Sequence, residues 1–257
     1  MISTKLNPLY DVKLIADGKQ HFYQLGNEEK WFPGVTTVLS VINKPALVQW
    51  ASNSACENIK EFLIKNALNR VLTLDEIEAA VLEGKNIYKK KSQVAADLGS
   101  RVHQAIDSII REEEKDIPED IQAGVQGFLD WKASNSLTIE LGDTKIGSKL
   151  FGYGGSLDMV AFDGNEAIIF DFKTTKKRRD RDHGIYDEYA YQLAAYAQAF
   201  KETYGLEVKK VYALWLNKEK PEFKAVEIPN ISLCFEGFLA ALKLYQVGKI
   251  EKLDNFI

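Results

Sequence analysis

The sequence predicts an α/β fold organised as one domain over residues 1–257, with a hairpin and helical part at 1–135 and a strand-rich core at 136–257. Three observations lead to this reading. Helical periodicity dominates from about Val35 to Ser134. Runs rich in β-formers take over near Thr138 and continue through Gly155 to Lys173, then resume in "KKVYALWLNK" and "FKAVEI". Helix-like stretches from Tyr186 to Tyr204 and from Ser232 to Val247 alternate with those strands.

Composition narrows the class. Hydrophobic residues make up 46% of the chain and charged residues 27%, as in ordinary globular proteins rather than disordered ones. The net charge of −4 excludes a protein that coats nucleic acid over its whole surface, so any polyanion contact is local. Cys56 and Cys234 stand far apart and outside any C-x-x-C pair, which argues against a disulfide scaffold, a cysteine zinc site or an iron–sulfur cluster. The first residues carry no signal-like apolar run, and no uninterrupted apolar stretch of membrane length is evident. A soluble, cytoplasmic protein without a membrane partner is expected.

In chain order, residues 10–25 read as a hairpin around "ADGKQ", with a second turn at "LGNEEK". Thr73 and Glu76 have capping-box spacing, and Pro118 suits the first turn of the helix "PEDIQAGVQGFLDW". The run "SQVAADLGSRVHQAIDSIIREEE" places Val94, Leu98, Val102, Ile106 and Ile109 on one helical stripe. His103 lies beside that stripe, with Gly99 one turn earlier leaving the surface next to the imidazole open. Alone, such a histidine is either a structural residue or a ligand for metal or phosphate.

The stretch "IIFDFKTT" begins as a buried strand and then puts Asp171 and Lys173 two residues apart, on one face of a sheet. Upstream, Asp163-Gly164-Asn165-Glu166 reads as a tight turn. A two-residue loop at Gly164 and Asn165 places Asp158 directly opposite Asp171; a three-residue loop breaks that register. Opposed carboxylates repel and resist burial unless something neutralises them. A divalent cation does so, and carboxylate oxygens are natural ligands of Mg²⁺ or Mn²⁺. Lys173 then faces the same site, where it can hold a phosphate oxygen or an attacking water. A charged ladder on a solvent-facing hairpin is the other reading. The glycines of "FGYGG", Gly152, Gly154 and Gly155, favour the first by permitting close approach of a ligand.

At this point the residues resemble the PD-(D/E)XK nuclease superfamily, in particular its RecB-type branch, which includes stand-alone phage nucleases and the mitochondrial genome maintenance exonuclease. The branch pattern of G-x-x-x-H, G-x-x-D, D-x-K and Q-x-x-x-Y is matched in order by Gly99–His103, Gly155–Asp158, Asp171–Lys173 and Gln192–Tyr196. The similarity covers roughly residues 95–200, and "FPGVTTVLS" also looks like the start of phage members. Leu157 stands where the founding pattern has proline, an absence common in this branch.

The resemblance implies a restriction-endonuclease-like core, a central mixed β-sheet flanked by helices with a helical N-terminal elaboration. It also implies a metal-dependent deoxyribonuclease, an exonuclease acting on single strands or duplex ends and leaving 5′-phosphates, with DNA as partner and replication or recombination proteins around it. Asp158 and Asp171 would bind Mg²⁺ or Mn²⁺, with help from His103 and the carbonyl of Phe172. Lys173 would orient or activate the water. Gln192 and Tyr196 would meet the nucleic-acid strand, although Tyr189, Leu193, Tyr196 and Phe200 are also spaced as a core face. Glu140 resembles an acid that precedes G-x-x-D in relatives and supports the site from behind. A non-catalytic nucleic-acid-binding module of the same fold and a structure-specific or sequence-specific endonuclease are the alternatives.

After the D-x-K strand, Lys176, Lys177, Arg178, Arg179 and Arg181 crowd one loop. Such a run is often merely solvated. Beside a metal site it reads as a phosphate-binding rim, with Tyr186, Tyr189 and Tyr191 available to stack on bases. "GDTKIGSK" lacks the Gly-Lys-Ser/Thr ending of a phosphate loop, and His183 has no evident ligand partners.

Overall fold

The structure is a computed structural model that describes residues 6–17, 20–67, 70–111, 113, 116–135, 137–164, 166–218, 220 and 222–249. It divides into two compact units, residues 43–100 and the remainder of the chain.

In the larger unit the first hairpin forms as its turn signals predict. β1 (Val12–Asp17) pairs antiparallel with β2 (Gln20–Leu25), and a two-residue β3 (Phe32–Pro33) completes a small sheet. The short helix α1 (Val35–Leu39) buries Val35, Val38 and Leu39 in the main core.

The unit at 43–100 contains α2 (Pro45–Ala67) and the first part of α3 (Leu74–Ile110). The predicted capping box is present: the Thr73 N–H donates to Glu76 Oε2 at 2.9 Å, and the Glu76 N–H donates to Thr73 Oγ1 at 3.3 Å. Within this unit Gly84 faces Ile59 so closely that a methyl group there would lie 2.8 Å from Ile59 Cγ1. The missing side chain thus serves packing between α2 and α3, and α3 runs on through it.

The apolar stripe of α3 changes character along its length. Val94 is exposed, whereas Val102 and Ile106 are buried, so only the C-terminal stretch of the stripe is a core face. α4 (Glu119–Ser134) follows, with Pro118 as its N-cap one residue before the helix proper.

Five strands form the main sheet in chain order: β4 (Thr138–Ser148), β5 (Tyr153–Asp163), β6 (Glu166–Thr175), β7 (Val208–Asn217) and β8 (Phe223–Glu227). All neighbours are antiparallel except β6 and β7, which are parallel and joined through α5 (Asp187–Tyr204), so the sheet is mixed. α5 is held against β4 and β5 by polar contacts as well as packing. The Thr203 hydroxyl bonds both the N–H and the C=O of Gly147, and the Tyr153 hydroxyl donates to the Ala195 carbonyl at 2.9 Å.

Side-chain alternation sorts the sheet's two faces. Val160, Ile169, Ala213 and Trp215 join Leu193, Phe200 and the last helix, α6 (Ile231–Lys249), in the largest core cluster. Phe170 and Phe172 belong to the opposite alternation set and meet the aromatics of α4, with Trp131 5.4 Å from Phe170 and Phe128 5.5 Å from Phe172. By length and composition alone, Ile231–Gly248 of α6 is apolar enough to cross a membrane, although Glu236 and Lys243 interrupt the apolar run. Phe238, Ala241 and Leu242 of this helix are buried in the core cluster, whereas Leu233, Leu244 and Val247 are exposed.

Candidate active site at the parting of two strands

The β5–β6 ladder runs from Asp163↔Glu166 to Met159↔Phe170, the register that the short turn predicts; Asn165 in the turn lies outside the described residues. Beyond Met159 the two strands keep different company. β5 goes on pairing with β4 as far as Tyr153↔Ser148, and β6 goes on pairing with β7 as far as Thr175↔Asn217. Asp158 and Asp171 are the first residues past the end of the shared ladder. The freed backbone N–H of Phe172 is taken by Asp158 Oδ2 at 2.7 Å.

Asp158 is therefore bound on both oxygens, since His103 Nδ1 lies 3.5 Å from its Oδ1. Burial works against the Asp158 charge, but His103, Lys173 and the Phe172 N–H outweigh it and hold the carboxyl below its ordinary range. Burial likewise opposes protonation of His103, and its contact with Asp158 reverses the balance, so the imidazole titrates above its usual value. The same ring packs edge-on to Phe172 at 5.6 Å. Arg101, two residues earlier on α3, forms a two-armed pair with Asp120 of α4 at 2.8 and 2.6 Å.

Asp171 is only 2% exposed. Burial pushes its carboxyl up to about 6 despite the Lys173 ammonium, which forms an ion pair with Asp171 Oδ2. That oxygen has no partner of hydrogen-bond geometry. Lys173 loses solvation on burial, yet Asp171 and Asp158 more than compensate and keep it cationic. Its Nζ also lies 4.9 Å from the centre of the Tyr189 ring.

Among the described residues no group of three or more His, Cys, Asp or Glu side chains stands together as a metal cluster. The donor chemistry nevertheless suits a hard divalent cation. Asp158 meets the His103 imidazole, and one buried Asp171 oxygen is bound by charge alone. In an extended strand the N–H and C=O of one residue leave by the same edge. The Phe172 carbonyl thus faces the side on which its N–H meets Asp158.

Other expected residues are placed differently. Gln192 and Tyr196 are 6% and 4% exposed, and Gln192 Nε2 donates to Tyr196 Oη at 2.8 Å. This corrects the expectation of direct strand contact, because side chains sealed beneath the sheet present no surface to a strand. Tyr196 instead fills the space over Gly155, where a methyl group would lie 2.6 Å from its Cε1. Gly154 is covered in the same way by Tyr23, with a hypothetical methyl 2.4 Å from Tyr23 Cγ. The glycines expected to admit a ligand admit aromatic rings of the chain itself.

The basic loop is largely balanced by nearby acids. Arg178 pairs with Asp180 at 2.7 Å, Lys177 with Glu222 at 3.1 Å, and Arg181 with Asp187 at 2.9 Å. Lys176 and Arg179 are exposed on the same loop. Glu140 is the extra residue where the β4–β5 register shifts between Ile139 and Leu141, and its side chain lies outside the described residues.

Tyr189, read from the sequence as a residue that stacks on bases or packs in the core, sits beneath the Lys173 ammonium. One neighbour of His103 on α3 was not singled out from the sequence. Asp107, one turn after His103, has a buried Oδ1 without a hydrogen bond, while its Oδ2 accepts from Arg111 at 2.9 Å.

Comparison with known proteins agrees with this architecture. No curated protein matches the sequence. A solved structure, titled "Crystal structure of SSO0001", aligns with 14% identity and a TM-score of 0.30 over 50% of this chain and 62% of that one. This chain therefore spans less than two thirds of that structure. The sequence pattern of the PD-(D/E)XK nuclease superfamily matches residues 125–253, from within α4 through every strand of the main sheet and on through α6. His103 precedes the matched region, whereas both aspartates and Lys173 fall inside it. On that match, over half of its length, the chain belongs to the PD-(D/E)XK nuclease superfamily.

Proposed function

We propose that the protein is a Mg²⁺- or Mn²⁺-dependent deoxyribonuclease, acting as an exonuclease on single strands or duplex ends and leaving 5′-phosphates. The observation that carries the hydrolytic reading is the convergence of Asp158, Asp171 and Lys173 where β5 and β6 part, with Asp158 anchored by the Phe172 N–H. The exonuclease reading rests on the ordered motif set that resembles the RecB-type branch.

Asp158 and Asp171 would hold the cation, with His103 and the Phe172 carbonyl as the further donors. When bound, a divalent cation lowers the pKa of a water and stabilises charge on the phosphate. Lys173 remains an ammonium paired with Asp171, from which it would orient the attacking water and meet the charge that develops on phosphorus-bound oxygen. Water attacks phosphorus and gives up a proton to solvent, the bond from phosphorus to the 3′-oxygen breaks, that oxygen leaves as a hydroxyl after taking a proton from solvent, and the phosphate stays on the 5′ side. His103 donates to Asp158 and fixes the direction of that carboxylate. Gln192 and Tyr196 position the strand bearing Asp158 through Gly155.

The test is digestion of 5′- and 3′-end-labelled linear DNAs and of circular single-stranded and duplex DNAs, with each metal titrated. Linear substrates should be shortened from an end to products with 5′-phosphates, and circles should survive. Cleavage of circles would overturn the exonuclease assignment, and inertness toward every substrate with both metals would overturn the enzymatic one.

A further inference from the structure

A cavity of about 670 Å³ lies beside the basic loop, walled by residues of the 181–187 stretch, the start of α5 and the turn from β8 into α6. Asp158, Asp171 and Lys173 do not line it, so it is separate from the proposed hydrolytic centre. Two contacts nevertheless connect them. The Lys173 ammonium lies over the Tyr189 ring, and that ring meets Tyr186 edge-on at 5.7 Å; Tyr186 belongs to the cavity wall.

The lining has an aromatic and apolar body, with Tyr186, Tyr191, Ile185 and Ile228 among its members. Gly237 keeps it open on the α6 side: a methyl group there would lie 2.8 Å from Tyr191 Cε1 and push the ring away. His183 is fixed at the wall because its Nδ1 accepts the Ile185 N–H at 3.1 Å. Asp187, Glu227 and Glu236 also reach the cavity and oppose entry of a phosphate. Arg181 also lines the cavity but is paired with Asp187 at 2.9 Å, and outside it Arg178 lies 5.0 Å from the centre of the Tyr186 ring.

We propose that this cavity receives an unpaired nucleobase of the strand being hydrolysed, while the flanking phosphates stay outside on the loop cations. The inference rests on the DNA-hydrolase reading above and adds a base-binding subsite to it. The volume falls within the ~300–1,000 Å³ range of pockets that take small ligands. Ring faces suit any base, because stacking uses the π-face that all bases share. The lining, with three carboxylates against the one Arg181 guanidinium, and the Arg178 guanidinium outside sort the nucleotide into its neutral and its anionic part. Duplex DNA must release a base to use the site, which favours single strands and frayed ends.

Cys234 lines the cavity, and replacing the exposed Cys56 by serine leaves it the sole thiol. The experiment uses the Cys56→Ser, Lys173→Met protein with Mg²⁺, a fluorescein-labelled oligothymidylate and an abasic oligomer of equal length. Anisotropy reports binding, and mass spectrometry follows alkylation of Cys234 by N-ethylmaleimide. Saturating oligothymidylate should slow alkylation about fivefold or more, the low end of what stacking one base is worth, and the bound abasic oligomer should not. Binding of both with Cys234 unprotected, or protected equally by both, overturns the base pocket and leaves the hydrolase reading standing. Absence of binding by either oligomer overturns both. As a second check, Leu233→Trp, an exposed change in the cavity wall, should weaken oligothymidylate about tenfold and spare the abasic oligomer. Equal effects on the two would count against the pocket.

Discussion

The Phe172 backbone N–H donates to Asp158 Oδ2 at 2.7 Å, in the place where a strand-to-strand hydrogen bond would otherwise continue. One carboxylate thereby completes the sheet's polar pairing and contributes to the site. Its removal should be felt in both roles. Asp158→Ala should lower hydrolysis at least ~10²-fold, by analogy with removal of a transition-state stabilising group. It should also cost about 1–3 kcal/mol of stability for the unpaired N–H. Asp158→Asn, which retains an acceptor, should recover most of the melting temperature and none of the activity. Undiminished metal-dependent cleavage by either variant would remove Asp158 from the site.

Lys173 and Asp171 form a buried pair, so truncating the lysine leaves a carboxylate without its counter-charge. Lys173→Met should abolish hydrolysis, and divalent metal should raise its melting temperature by more than it raises the wild type's. Differential scanning fluorimetry with and without Mg²⁺ measures this. Equal metal-induced shifts in the two proteins would contradict the placement of the cation between these groups.

The Asp171 carboxyl titrates near 6, above the ~3.9 of an unfolded aspartate. In the metal-free protein the folded state holds this proton more tightly, so this group's contribution to stability falls as pH rises from about 4 to about 6. Asp158 has the opposite sign, stabilising at high pH and losing that contribution in acid; His103 stabilises at low pH and loses it as pH rises through its elevated value. The informative quantity is therefore the difference between wild type and Asp171→Asn. On the proposed ligation Mg²⁺ displaces the Asp171 proton, and calorimetric titrations should show wild-type affinity weakening below about pH 6. Affinity that is flat between pH 5 and 8 would exclude Asp171 as a ligand.

Gly155 and Tyr196 make a packing contact that leaves no space for a side chain. Gly155→Ala should cost about 1–3 kcal/mol, the usual range for overpacking a core. Tyr196→Phe removes the acceptor of the Gln192 amide and should cost about 1–3 kcal/mol for the unsatisfied group. If both residues act by positioning, each variant should lower kcat more than it raises KM. A change confined to KM would point to direct substrate contact.

Arg178 is paired with Asp180, but such exposed pairs are worth little and yield readily to a phosphate. Arg178→Ala and Arg179→Ala should each reduce the dependence of log binding constant on log salt by about one. An unchanged salt slope in both would show that the loop is only solvated.

Much of this architecture was legible because local rules carried it. The short turn at Gly164 set the β5–β6 register, and helical periodicity marked α5 and α6. The capping box at Thr73 and Glu76 started α3 as expected. What escaped depended on partners distant in sequence. Gly154 and Gly155 read as openings because nothing nearby revealed that Tyr23 and Tyr196 would cover them. Gly84 offered no sign that Ile59 required its space, and the acids that neutralise the basic loop include Glu222 from far along the chain. Asp158 and Asp171 were placed together by register alone. The hydrogen bond to Phe172 was not foreseeable, since a regular ladder would have used that N–H elsewhere.

Asp158 is carried by the β4–β5 hairpin, and Asp171 with Lys173 by the β6–β7 pair, two ribbons whose mutual ladder has already ended when they reach the acids. The spacing of the carboxylates is consequently governed by sheet curvature rather than by the fixed repeat of paired strands. β4 also carries an irregularity at Glu140, opposite Val160 and Ala161, and bulges increase local twist and bend the strand that contains them. Substitutions far from either carboxylate can therefore retune the separation of the acids by changing the angle at which the ribbons diverge.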